Sequence, residues 1–301
     1  MNDVSFTEKS RVKGSFERAA AQYDEVAVLQ REVSQRMASR LEYIKVQPTR
    51  IIDAGSGTGA GAAMLRKHYP NSMVIELDFA YAMLDQSRNK YMSTEGFLKR
   101  LLTRKILWQV CGDIEMLPLR EASLDMVWSN LALQWVPIPD QVFAEFYRVL
   151  APGGMLMFST LGPDTLMELR QSFHGLDQAA HVNPFIDMHD LGDALLRHGF
   201  TEPVMDMEKI IMTYRDVRSV IRDLKAIGAH TVMNGQRRGL LGKEAWQRIE
   251  ETYEKYRCNG TLPVTYEVVY GHAWKESHCT SHSVLPDGRH IIQFNPSQRG
   301  R

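Results

Sequence analysis

Cysteine is scarce in this chain. The three present in 301 residues, Cys111, Cys258 and Cys279, lie too far apart for a disulfide framework, and none forms the C-x-x-C pair of a cysteine zinc site. Cys111 sits in an apolar run and reads as a small buried hydrophobe. Net charge is missing too, because 36 basic residues cancel 36 acidic ones and neither sign forms a long block. Nucleic acid and an anionic membrane are therefore not expected partners, although a local basic face can still receive an acidic protein. No stretch approaches the ~20 apolar residues of a membrane span, and the opening MNDVSFTEKSRVK has no apolar core of signal-peptide type. A cytoplasmic, reduced protein is the expectation. No internal repeat or low-complexity tract is visible, and the length suits one enlarged α/β domain or a domain with a smaller appendage.

What the chain does have is IIDAGSGTG at 51–59, a short apolar run that ends in a carboxylate and breaks into alternating glycines. The pattern predicts a strand, a tight turn and the start of a helix. Glycines at alternate positions let a ligand lie against the main chain. Gly55, Gly57 and Ala60 satisfy the loose spacing of a dinucleotide-binding turn. Asp53 argues against two phosphate charges at that point. It favours a ligand carrying an ammonium and a sulfonium, which describes S-adenosylmethionine, unless it only caps the next helix.

Ahead of this turn, residues 1 to about 14 read as a loose leader. From Ser15 to Ile44 the spacing of Phe16, Tyr23, Val26, Leu29, Val33, Met37 and Leu41 predicts one long or two short helices. After the turn, a helix is predicted over 60–68, a strand over 72–77 ending in Asp78, and a helix over 80–91. The basic, leucine-rich FLKRLLTRK precedes a third strand at 106–111. A strand at 124–129, a helix at 139–150, the turn APGG and a strand at 155–160 follow. Alternation of this kind specifies a parallel sheet with right-handed crossovers. Beyond it, helices near 163–174 and 188–198, a strand near 203–213, helices near 215–227 and 242–257 and a strand at 265–274 are expected, with HIIQF at 290–294 as an edge strand or ordered tail.

Ligands of an open parallel sheet lie across the carboxyl ends of its strands. The first strand ends at Asp53, the second at Asp78, where a carboxylate accepts both hydroxyls of a ribose. The third is followed by Gly112-Asp113-Ile114, with a carboxylate for an exocyclic amine and a backbone N–H for a ring nitrogen. The fourth is followed by Asn130, on the rim nearest the reacting end. Each residue has a local alternative as cap or turn former; four at successive strand ends point to one adenosine site. Met83 and Trp135 are candidates to wall it, or are simply core.

DAGSGTG, ELDFAYAML, GDIEMLPL, SLDMVWSNLALQW and RVLAPGGML resemble, in order and spacing, the motifs of class I S-adenosylmethionine-dependent methyltransferases over roughly residues 50–160. FERAAAQYDEVAVLQ, STLGPDTLMELR, HVNPF, DLKAIGAH and LPVTYEVVYGHAW extend the likeness to the malonyl-acyl-carrier-protein O-methyltransferases of biotin synthesis, over nearly the whole chain. The resemblance implies a Rossmann-like α/β fold, with a mostly parallel seven-stranded sheet, helices on both faces, N-terminal helices and a helical insertion in the C-terminal half. It implies an N-terminal segment closing the site (1–48), a cofactor-binding core (49–160), substrate-side helices and last strands (161–274) and a polar tail (275–301).

The implied reaction places a methyl group on the free carboxylate of malonyl held on acyl carrier protein, or on malonyl-CoA, with no metal. Matching residue by residue assigns Asp53, Gly55, Gly57 and Gly59 to the cofactor loop, Asp78 to the ribose, and Asp113 with Ile114 to the adenine. Tyr23 then closes over the substrate or is a helix-packing aromatic. The C-terminal pattern also resembles a mitochondrial complex I assembly factor that hydroxylates an arginine, which is the enzymatic alternative alongside a small-molecule methyltransferase. Hydroxylation needs an oxidising centre, and no convincing metal-ligand spacing is present, His189-Asp190 being isolated.

A carboxylate is already ionised near neutral pH, so no general base is needed. Alignment and removal of water are. A single arginine can orient one oxygen and leave the other free. Arg170 and Arg18 are the candidates, with His181 third. For the carrier protein, Lys99, Arg100, Arg104 and Lys105, or Arg237, Arg238 and Lys243, offer a local positive face.

Overall fold

The computed structural model describes residues 3–94, 107–173, 185–227 and 242–277. Its centre is a seven-stranded sheet in the order β3-β2-β1-β4-β5-β7-β6. The parallel part comprises β1 (Arg50–Ala54), β2 (Met73–Asp78), β3 (Trp108–Cys111), β4 (Leu124–Asn130) and β5 (Leu150–Leu161). The two long strands β6 (Phe200–Tyr214) and β7 (Leu262–Lys275) form a hairpin-like antiparallel pair, and β7 also runs antiparallel to β5. Strand order reverses between β1 and β4, which opens a crevice above the carboxyl ends of those two strands.

The period of two in β1 assigns its neighbours to opposite layers. Ile51 packs with Val74, Met126, Met155 and Met157 under α3 (Val28–Arg40) and α4 (Ala60–His68). Ile52 packs with Leu77, Val127, Leu156 and Phe158 against α6 (Pro139–Val149) and α8 (Met188–Arg197). One strand residue breaks the apolar run. Glu76, fully buried in β2, accepts from Arg66 at 2.7 Å, Ser87 at 2.7 Å and Gln109 at 2.8 Å, the multiple partners a buried charge requires. The remaining helices are α5 (Tyr81–Thr94), α7 (Met167–Phe173), α9 (Val217–Ala226) and α10 (Lys243–Glu254).

The N-terminal region departs from expectation. Residues read as a loose leader belong to α1 (Asp3–Ala19), followed by the single turn α2 (Tyr23–Val26) and then α3. Val12, Phe16 and Ala20, four apart, bury one stripe of α1 against Ala80 and Met83. Glu17 also accepts from the main-chain N–H groups of Tyr81 (2.8 Å) and Ala82 (2.9 Å), so α1 caps α5 from outside. Cys111 is another correction. β3 is the edge of the sheet, and the thiol is exposed rather than buried. The strand expected from Met155 begins at Leu150 and carries APGG inside it, Gly153 taking φ +78°. The segments FLKRLLTRK, most of HVNPF and HIIQF lie outside the described residues.

Candidate functional site

The three glycines after β1 serve three different purposes. Gly55 (φ +81°) meets the end of β4 so closely that a Cβ would stand 2.5 Å from the Ala132 Cβ. Gly57 (φ +53°) runs beneath the Tyr23 ring, whose edge is 4.0 Å from where a Cβ would be, and its N–H donates to Asp78 Oδ2 at 2.8 Å. Gly59 (φ +81°) lines neither of the cavities described below. A side chain there would collide with Ser87 of α5, 2.0 Å away, so helix packing by itself requires glycine at this position.

Around this loop a cleft of about 800 Å³ opens above β1, β2 and β4. Gly55, Gly57, Asp78, Met83, Asp113, Ile114 and Asn130 line it, so the fold gathers seven of the nine expected cofactor residues in one place. Asp53 faces an adjoining notch of about 450 Å³ with Ser56, Thr58, Gly61 and Arg31. The two spaces share Tyr23, Gln30, Gly55, Gly57 and Asn130.

Charge at the site is predominantly negative. Asp78 accepts from Gly57 and from Ala80 N–H at 2.8 Å; burial nevertheless lifts its carboxyl to about 6. Asp53 is lifted further, to about 8, by burial and then by the Glu76 carboxylate behind it. Its Oδ2 is buried without a hydrogen-bond partner. Gly61 makes room for that oxygen, since a Cβ there would lie 2.8 Å from it. A buried carboxylate oxygen with no donor is costly unless a ligand supplies one. Asp113 is half-exposed, caps Glu115 N–H at 3.0 Å, and is paired with Lys9 of α1. Lys9 reaches Glu115 as well, and is the only basic side chain lining the main cleft among the described residues.

The cleft's outer wall is aromatic. Phe16 meets Trp135 edge-on at 5.2 Å, Phe79 at 6.0 Å and Tyr23 at 6.4 Å. Trp135 thus lines the cleft, packed against α1. Burial, then the Asp78 and Asp24 charges, push the Tyr23 phenol well above its ordinary value, so it stays protonated. Asn130 does not reach freely into the space. Its amide donates to the Gln30 carbonyl at 3.1 Å and its oxygen accepts from Ser159 at 2.9 Å, which fastens α3 to the ends of β4 and β5. Beside it Leu131 is held at φ +49°, a strained conformation for a leucine, by main-chain and hydroxyl acceptors of Ser159.

The arginines expected to orient a carboxylate are elsewhere. Arg170 is exposed and donates to the Pro163 and Thr165 carbonyls at 2.9 and 2.8 Å, closing its own loop. Arg18 is exposed at the end of α1, with Ser15 as its partner at 3.3 Å. Neither lines the cleft or the notch. Lys243 opens α10; His181, Arg237, Arg238 and the cluster at 99–105 lie outside the described residues. Residues that went unnoticed are Lys9, Gln30, Arg31 and Gly61. The four-residue spacing of Val12, Phe16 and Ala20 would have placed Lys9 on a docked helix. Gln30 and Arg31 give no local signal.

A glycine cradle, an orphaned carboxylate oxygen and acids at successive strand ends fit a cationic nucleoside, and with this sheet order they define a class I S-adenosylmethionine-dependent methyltransferase. The family described as "Methyltransferase domain" matches residues 52–158. The chain is 58% identical over 296 residues, 98% of its length and 99% of the relative's, to a malonyl-[acyl-carrier protein] O-methyltransferase of Laribacter hongkongensis. It belongs to the malonyl-[acyl-carrier protein] O-methyltransferase family. Two solved structures share the fold at low identity. One is a putative methyltransferase from Bacillus halodurans (TM-score 0.54, 17% identity, 80% of this chain and 99% of that one). The other is Haemonchus contortus phosphoethanolamine N-methyltransferase 2 in complex with S-adenosyl-L-methionine (TM-score 0.51, 16% identity, 81% and 53%). The arginine-hydroxylase alternative is not favoured by these relatives. No described helix is long and apolar enough to cross a membrane.

Proposed function

We propose that the chain methylates the free carboxylate of a malonyl group carried on acyl carrier protein, in the cytoplasm, as a step of biotin synthesis. When bound, S-adenosylmethionine supplies a methyl group that leaves its sulfonium for a carboxylate oxygen, so both charges vanish and no proton moves. The chain's own residues therefore have to bind, align and exclude water.

The observation that carries this reading is the unpartnered Oδ2 of Asp53, a buried acceptor on a residue that lines the same notch as Arg31. A carboxylate and a guanidinium facing one small space suit the ammonium and carboxylate of an amino acid. Asp78 takes the ribose with its remaining lone pairs, and Asp113 and Ile114 take the adenine over Met83. With the nucleoside and the amino acid held so, Tyr23 and Gln30, which line both spaces, would flank the reacting end. Tyr23 shields that end and, being held protonated, takes no proton from substrate. Phe16, Trp135, Val136 and Ile227 keep the acceptor's surroundings apolar. Gln30 takes the orienting role expected of an arginine. Its carboxamide oxygen is buried with no partner, and rotation of the amide turns a neutral N–H donor towards the acceptor. A neutral donor positions a carboxylate without quenching it. The helices of residues 1–48 close the site.

Incubation with isotopically labelled S-adenosylmethionine and malonyl-carrier protein should give a labelled product heavier by one methylene unit, lost on mild ester hydrolysis. Label that appears only on small-molecule acceptors would replace this reading with a small-molecule methyltransferase.

A further inference from the structure

We propose that the outer face of α9 is the docking surface for the acidic face of the carrier protein, beside the point where its arm enters the cleft. This rests on the methyl-transfer reading above. The whole chain is electrically neutral, so an acidic partner requires a local positive face. α9 supplies one. Val217, Val220 and Leu224 are buried, while Arg215, just ahead of the helix, and Arg218, Arg222 and Lys225 are exposed at spacings of three, four and three, which is a single stripe.

The two acids of this segment offset its four basic residues only in part. Asp216 is exposed and caps the helix, accepting from Ser219 N–H at 2.7 Å, and Asp223 is hydrogen-bonded to Tyr214. Arg218 is partly neutralised by Glu250 at 3.1 Å and lies over the Trp246 ring. Arg222 and Lys225 have no ion pair among the described residues, although the Asp216 carboxylate is close enough to feel both Arg222 and Arg215. The position is as telling as the charge. Ile227, two residues past Lys225, lines the cleft, and α9 packs against α2, which carries Tyr23. The stripe thus begins within one helical turn of the substrate end of the site. Of the basic residues of α1, Lys13 flanks the opposite, adenine end, where it sits near Cys111 and Asp113.

The test uses the full-length protein with Arg222→Glu/Lys225→Glu, and two acceptors, malonyl-carrier protein and malonyl-pantetheine, which bears the thioester without protein or phosphate. KM for the carrier-bound substrate should rise about tenfold or more with kcat retained, as rim charges act on encounter. Malonyl-pantetheine should be methylated as by the parent protein. Added salt should weaken carrier binding to the parent more than to the variant. The neutral Arg222→Gln/Lys225→Gln variant should fall between. An unchanged carrier KM, an equal loss on both acceptors, or a selective carrier defect from Arg11→Glu/Lys13→Glu instead would overturn the assignment. If the parent methylates neither acceptor, the functional reading fails. Calorimetry with the carrier protein then decides the face, equal binding by parent and variant refuting it and loss in the variant upholding it.

Discussion

The floor and the roof of the cleft are built differently. The floor is the sheet: Asp53, Asp78 and Glu76 are buried, and the partners of Asp78 and Glu76 are main-chain N–H groups or neighbours in the next strand or helix. The roof, α1 to α3, buries apolar stripes, Val12 and Phe16 of α1 and Val33 and Met37 of α3, but its polar contacts are those of partly exposed charges: Lys9 with Asp113 and Glu115, Asp24 with Thr58 (2.6 Å) and Lys90 (2.7 Å), and Arg40 with Asp206 (2.7 Å). Buried, backbone-supplied contacts are costly to break, whereas exposed ion pairs contribute little each and weaken with salt. The polar contacts of the floor are therefore the costlier ones to break, and those of the roof are the ones that salt can weaken.

The sharpest way to break this contrast is Asp53→Asn. Loss of one partner from a buried charged contact costs ~2–5 kcal/mol, so affinity for S-adenosylmethionine should fall about 100-fold by calorimetry, with no drop in melting temperature. Unchanged affinity would remove Asp53 from the site. Next comes Gly59→Ala, which should destabilise the fold by about 2–4 kcal/mol in chemical denaturation through the left-handed backbone and the clash with Ser87. Gly57→Ala, with nothing nearer than 4.0 Å, should cost about 1–2 kcal/mol in stability. Gln30→Leu should raise KM for malonyl substrates about tenfold while leaving cofactor affinity intact, the size expected of one lost hydrogen bond to a charged group; an equal loss of cofactor binding would assign Gln30 to the cofactor.

Acidity offers a smaller, cleaner probe. The folded Asp53 holds its proton up to about pH 8, against about 4 in an unfolded chain. The folded state binds more protons over that interval, so the ligand-free protein should lose stability as pH rises from 4 to 8. A bound ammonium favours the ionised carboxylate, so melting curves with saturating cofactor should show a shallower decline, and cofactor affinity should increase with pH. The weakest effect belongs to the roof. Lys9→Met should speed cofactor release only a few-fold in stopped-flow measurements, consistent with ~0–1 kcal/mol for an exposed pair.

What could be read from the sequence follows the same division. Asp53, Asp78 and the glycines stand in one local strand-turn-helix pattern, and a pattern that short carries its geometry with it. Asp113 and Ile114 were legible for the same reason. The packing constraint on Gly59 was not legible, because its neighbour Ser87 comes from another helix 28 positions on and leaves no mark near the turn. Arg18 and Arg170 were misplaced because a long guanidinium on a surface helix or loop finds hydroxyls and carbonyls close at hand, which residue type cannot reveal. The leader was mistaken for loose chain since only Val12, Phe16 and Ala20 mark its stripe among many polar residues, too sparse to stand out before Met83 and Ala80 are known to lie beneath it.

The anchorage of α3 extends far beyond the nucleoside crevice. Arg36 grips Glu208 across 172 positions of sequence, and Arg40 stacks 3.8 Å above the Tyr270 ring while holding Asp206. The outermost hairpin of the sheet is thus a mooring for the beginning of the chain. A fragment ending near residue 160 would keep Asp53, Asp78, Asp113 and the contacts of Lys9 and Asp24, and yet would strip Arg36 and Arg40 of their partners, loosening the far end of α3.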